Sequence, residues 1–263
     1  MEIQQLTNWT HFDKQNSERP IKFLVIHNFA YPVKKVLEIW AEMDISPHYL
    51  IDTKGKILQL VPEDKIAWHA GKSFWRGKNS LNASSIGIEL HSPSFGQSPY
   101  PKPQIRSFIE LATDIIKRYH IKPENILGHS DCSCDRKIDP GITFPWAEMA
   151  KYGIGIWSST QTKARARGCV SSMLKRIGYD TTNEKAALLA FMRHFMPDQI
   201  NKDDDIFKME ELLTEHIKNL KTPDAAVIKR LRLVASAYPS LRPLLAIGSP
   251  TNKCSVSKKK SKL

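Results

Sequence analysis

Ile21-Lys22-Phe23-Leu24-Val25-Ile26, followed at once by His27, is the stretch that decides the fold class. It is mostly apolar, rich in β-branched residues and lacks polar alternation, which suits an interior strand of a covered sheet. Working outward, Val36, Ile39, Trp40 and Met43 recur at helical spacing after Pro32. Tyr49 to Asp52 and Lys56 to Val61 flank Thr53-Lys54-Gly55 in the pattern of a hairpin. Between Ser85 and His91, Ile86, Ile88 and Leu90 alternate with Gly87, Glu89 and His91, the two-residue period of a strand. Ile105, Phe108, Ile109, Ala112, Ile115, Ile116 and Tyr119 trace an amphipathic helix, and Ile126-Leu127-Gly128-His129 is a further short strand.

This alternation predicts an α/β fold over residues 1–157, a mixed central β-sheet flanked by helices. The polar stretch 158–166 reads as a linker. Beyond it the pattern is helical, at about 167–177, 184–196, 205–220 and 224–238, with Asn183 and Asp224 at cap positions. A small all-α domain over 167–240 and a basic disordered tail over 249–263 complete the expected organisation.

The chain has 263 residues, 41% of them apolar, and no run approaches the 18 uninterrupted apolar residues of a membrane-spanning helix. Its first residues, MEIQQLTNWTHFDKQ, lack the apolar core of a secretory signal, which points to the cytoplasm. Four cysteines are too few for a disulfide scaffold. The net charge is +12, but residues 1–157 hold 19 basic and 17 acidic groups against 20 and 10 in residues 158–263. Lys253, Lys258, Lys259, Lys260 and Lys262 carry half of the second excess. It therefore reads as a solvated tail, and no nucleic-acid partner is expected.

Chemistry-bearing residues gather in the first part. His27 adjoins the apolar strand, His129 ends another strand, and Asp139 follows ten residues later. Two imidazoles and a carboxylate leave one tetrahedral position open, as a catalytic zinc requires. Spacing alone leaves His27 equally readable as a hydrogen-bonded histidine at a core edge. Lys137 stands two residues before Asp139, where a cation would stabilise an oxyanion, or it is an ordinary surface lysine. Glu89 points away from the apolar face of its strand, with Gly87 leaving room for close approach. It is a general base or a salt-bridged strand residue.

The stretch HSDCSCDRKIDPGITFPW (129–146), with FLVIHN (23–28), SPHYLI (46–51), AWHAG (67–71) and SIGIEL (85–90) in matching order upstream, resembles the zinc-dependent N-acetylmuramoyl-L-alanine amidases of the type 2 group. The resemblance implies cleavage of the amide between N-acetylmuramic acid and L-alanine in peptidoglycan or its fragments. It also implies a Zn2+ cofactor held by His27, His129 and Asp139, with Glu89 as catalytic base and Lys137 as oxyanion stabiliser. Asp139 as the third ligand, with Glu89 in its strand, is similar to the anhydromuramoyl-amidase branch. His48, Trp68, His69, Trp75 and Asn82 are the expected substrate-binding residues, though His48, Trp68 and Trp75 read equally well as buried structural residues.

Residues 169–200 resemble a small helical peptidoglycan-binding module, which makes the periplasm or cell envelope the alternative to the cytoplasm expected from the N-terminus. The family's Pro-Gly pair is replaced by Cys134-Asp135, and Cys132 and Cys134 are expected to be loop thiols rather than ligands. The rival reading is a recognition protein that binds peptidoglycan without cutting it. The presence of all five site residues argues against that.

Overall fold

The computed structural model describes residues 1–6, 9–13, 19–158, 163–200 and 209–240. The basic tail and the start of the helix expected at 205–220 lie outside them. In chain order the elements are β1 (Ile3–Gln5), β2 (Phe23–Phe29), α1 (Val33–Glu42), β3 (Tyr49–Ile51), β4 (Ile57–Gln59), β5 (Phe74–Trp75), β6 (Lys78–Asn79) and β7 (Ser85–His91). They are followed by α2 (Lys102–Tyr119), β8 (Ile126–Gly128), α3 (His129–Cys132), α4 (Trp146–Met149), α5 (Val170–Ile177), α6 (Glu184–Phe195), α7 (Met209–Asn219) and α8 (Ala225–Ala237).

Six strands form one mixed sheet in the order β1-β4-β3-β7-β2-β8. The β3–β4 hairpin is antiparallel and the other pairings are parallel. β5 and β6 form a separate small hairpin that the sequence pattern did not reveal. The strand begun at Phe23 runs on to Phe29, so His27 lies inside it rather than after it. Pairing with β7 along its whole length holds the extension, and His27 stands opposite Glu89. On the other side Ile26 pairs with Gly128, the residue before His129, which opens α3 instead of ending a strand.

Side-chain alternation divides the two central strands cleanly. Leu24, Ile26, Ile86, Ile88 and Leu90 face α2, packing on Phe108, Leu111, Ala112 and Ile115. Phe23 and Val25 face the other way, and with Leu127 they enter a core shared with Leu174 and Ile177 of α5, Phe191 of α6 and Leu231 of α8. The helices beyond residue 167 thus cover the sheet face on which His27 and Glu89 also lie. Asn183 and Asp224 cap α6 and α8 as expected, their side chains accepting from the Ala186 and Val227 amides at 3.1 and 2.9 Å.

Candidate metal centre

Three buried side chains converge on the sheet face opposite α2. His27 Nδ1 lies 3.0 Å from His129 Nδ1, and each of those nitrogens lies 3.1 Å from Asp139 Oδ2. Among the described residues this is the group of three that can hold a metal ion. His27 comes from β2, His129 from the first turn of α3, and Asp139 from the loop that follows. That loop is pinned back on the fold: the Ser130 amide donates to the Asp139 carbonyl at 2.9 Å. Tyr100 Oη and Asn28 Nδ2 donate to the Pro140 carbonyl at 2.6 and 2.7 Å.

The surrounding hydrogen bonds fix where the ring protons sit. The Ser85 hydroxyl donates to the Leu81 carbonyl at 2.8 Å, so its oxygen accepts from His69 Nε2 at 3.1 Å. In a neutral His69 the other nitrogen, Nδ1, is then a lone pair and accepts from His27 Nε2 at 3.0 Å. His27 Nδ1 is thereby left without a proton. His129 Nε2 donates to the Ala70 carbonyl at 3.3 Å, which leaves its Nδ1 bare as well. Two imidazole lone pairs and a carboxylate oxygen therefore face one another at about 3 Å with no proton among them. A bound cation relieves that repulsion. The triangle also approaches one face of a tetrahedral site with 2.0 Å bonds, whose edge is about 3.3 Å. The donor set fits a zinc-type metal.

Protonation follows the same logic. Burial, and then the repulsion His129 would exert if both rings took a proton, lowers the His27 pKa to about 4, so the pair does not charge together. Burial pushes Asp139 upward, but the histidines beside it outweigh this and hold it well below the usual carboxylate range. Glu89 is raised well above its ordinary value by burial and then by Asp139, with Lys137 acting against both. Its Oε2 is buried without a hydrogen-bond partner, so it is free to exchange a proton with a molecule in the cleft. Glu89, Lys137 and the three converging residues line one cavity of about 710 Å³, whose rim includes Tyr31 and the 38% exposed Trp68.

The expected substrate-binding residues divide. Trp68 lines the cleft. His69 reaches it, but both ring nitrogens are engaged by His27 and Ser85, so it holds a neighbour rather than offering a free edge. Asn82 lines the cleft too, with its side-chain Oδ1 accepting from the His69 and Ala70 amides at 3.2 and 2.7 Å. His48 and Trp75 lie away from the cleft lining. His48 is fully buried, its Nδ1 accepting from the Gly87 amide and its Nε2 contacting Arg19 and the Lys65 carbonyl. Trp75 is 1% exposed, donates to the Glu124 carbonyl and packs edge-on against Tyr179. Local sequence left both readings open for each, because what buries them comes from distant segments.

Sequence reasoning passed over Arg136, whose guanidinium holds the Ala70 and Lys72 carbonyls at 2.9 and 2.6 Å. The same Ala70 carbonyl receives His129 Nε2, so Arg136 steadies the acceptor that orients that ring. Cys132 and Cys134 are free, buried and part of the shared apolar core.

Lone-pair donors converging beside a buried carboxyl and a lysine, in a cleft over a mixed sheet, are the parts that metal-assisted attack on a carbonyl requires, and the class they fit is that of the hydrolases. Residues 17–142 match the family model described as N-acetylmuramoyl-L-alanine amidase. The chain is 39% identical over 216 residues to the N-acetylmuramoyl-L-alanine amidase AmiD of Escherichia coli, covering 70% of this chain and 78% of that protein. It is 36% identical to the 1,6-anhydro-N-acetylmuramyl-L-alanine amidase AmpD of Haemophilus influenzae, over 52% of this chain and 84% of that one. The structure of E. coli AmiD with anhydro-N-acetylmuramic acid-L-Ala-D-γ-Glu-L-Lys superposes with a TM-score of 0.65 at 34% identity, covering 86% of this chain and 91% of that chain. AmpDh3 of Pseudomonas aeruginosa, in complex with anhydromuramic pentapeptide, gives 0.61 at 27% identity over 77% and 94%. The chain belongs to the N-acetylmuramoyl-L-alanine amidase family.

Proposed function

We propose that the protein hydrolyses the amide between N-acetylmuramic acid, including its 1,6-anhydro form, and the L-alanine of the stem peptide, with zinc held by His27, His129 and Asp139. The observation that carries this reading is the convergence of three donor atoms within 3.1 Å of one another beside the buried Glu89 carboxyl, whose Oε2 has no hydrogen-bond partner. His27, His129 and Asp139 would hold the ion, which would supply Lewis acidity toward a carbonyl oxygen or a water. Glu89 takes a proton from the attacking water and returns it to the departing alanine amine. Burial raises the proton affinity of Glu89, which suits a carboxylate that accepts a proton and then gives it up. Lys137 places its charge in the same cleft and stabilises the oxyanion that develops on the attacked carbonyl. Trp68 offers an apolar ring to the sugar or the peptide at the rim.

The amidase unit over 1–157 and the helical unit over 167–240 act together in this reading, the second as a peptidoglycan-binding module. In its support, Glu211 of α7 lines the same cleft as the metal centre. Such a module fits work on intact sacculi at the envelope, whereas soluble muropeptides are an equally suitable cytoplasmic substrate. Digestion of purified sacculi and of soluble anhydro-muropeptides side by side, with products identified by mass, distinguishes them. Glu89→Ala is expected to keep its zinc and lose about 10²–10⁴-fold in kcat. Undiminished hydrolysis by that variant would remove Glu89 from the mechanism.

A further inference from the structure

Asp131 is 1% exposed and stands two residues after His129 in α3. Its carboxylate collects three donors from two separate parts of the chain. Oδ2 accepts from the Gly128 amide at 2.9 Å and from His194 Nδ1 at 2.8 Å, and Oδ1 accepts from Tyr179 Oη at 2.6 Å. Gly128 immediately precedes His129 and pairs with Ile26 beside His27. The Ser130 amide, on the other side of His129, holds the Asp139 carbonyl. One carboxylate thus anchors the turn from which His129 departs and to which the Asp139 loop is tied.

The donors from the helical segment are themselves locked. The His194 ring is stacked between Trp146 and Phe195, with centroids 4.0 Å away on each side. Tyr179 is 1% exposed and edge-on to Trp75 at 5.0 Å. A buried carboxylate is costly unless its lone pairs are met, and an apolar side chain would serve packing as well. What the carboxylate adds is direction, since three short hydrogen bonds at fixed angles allow α3 one orientation.

We propose that Tyr179 and His194 are positioning residues for the metal centre, acting through Asp131, so that the helical segment completes the geometry of the site it covers. The inference rests on His129 and Asp139 being metal ligands.

Zinc affinity of the full-length protein, measured by competition with a chromophoric chelator, tests it. Tyr179→Phe and His194→Leu are each expected to lose about tenfold in affinity, the low end of what outer-sphere partners of a metal site contribute. His194→Asn, which keeps an N–H near the Nδ1 position, is expected to retain most of the affinity. In an Asp131→Asn background, Tyr179→Phe should cause no further loss, because the path then has no carboxylate to act through. Wild-type zinc affinity in Tyr179→Phe, with only the melting temperature of the metal-free protein lowered, would reduce the cluster to packing and overturn the proposal. Should His194→Leu fail to fold, Tyr179→Phe decides alone, since it removes a single hydroxyl. A wild-type protein that binds no zinc would instead overturn the metal reading itself, and this inference with it.

Discussion

Gly87 has no side chain, and that is what lets the His69 ring lie over β7: a Cβ there would sit 2.5 Å from the ring's Cγ. The ring in turn accepts from His27 and so bares the nitrogen turned toward His129 and Asp139. Gly87→Ala should displace His69, destabilising the metal-free protein by about 1–3 kcal/mol in denaturant unfolding and weakening zinc binding at the same time. His69→Ala should fold and lose about 10–100-fold in zinc affinity, read by chelator competition. Unchanged affinity would show that His27 needs no such partner. The glycine's meaning, room for close approach, was legible in the sequence. What approaches was not, since His69 lies eighteen positions upstream in a segment with no periodic signal.

Glu63 ties α2 to the hairpin side of the sheet. Its carboxylate accepts from Tyr49 and Tyr119 at 2.8 and 2.7 Å and from both terminal nitrogens of Arg118. Burial alone would raise its pKa, but the Arg118, Tyr119 and Tyr49 donors outweigh burial and lower it below the ordinary 4.5. A lowered carboxylate stabilises the fold above its unfolded value and loses that contribution as pH falls through the folded one. Glu63→Gln should therefore cost about 1–2 kcal/mol at pH 7, a figure discounted for the exposed Arg118. The gap to wild type should close as the pH drops below 4.5, followed by urea unfolding across pH. At the ends of helices the sequence was more explicit. Asp224→Ala removes the cap of α8 and should cost about 1 kcal/mol. Capping was legible because it depends on residues three apart. The β5–β6 hairpin was not, because two-residue strands carry no period.

At the scale of the molecule, one apolar core runs from Phe23, Val25 and Leu127 of the sheet into Leu174, Ile177, Phe191 and Leu231 of the helices. Residues in one continuous core unfold together, so calorimetry of the full chain should show a single transition. Ile177→Ala should lower that transition as a whole by about 2–5 kcal/mol. Two transitions, with only one of them moved by Ile177→Ala, would make the helices a separable module.

The sequence by itself determined the main alternation of strands and helices, though not β5–β6 or the turn at His129, and the period that turns Glu89 off the apolar face of β7; the set of residues that meet at the candidate metal centre came from the ordered motifs and the family resemblance they carry. The alternation and the period depend on chemistry within a few residues of chain. Tertiary structure alone decided which imidazole nitrogen is bare, that His48 and Trp75 are enclosed while Trp68 faces the cleft, and that Tyr179 and His194 reach Asp131. Lone-pair direction and burial depend on atoms brought together from as much as a hundred residues away, and no local pattern records them.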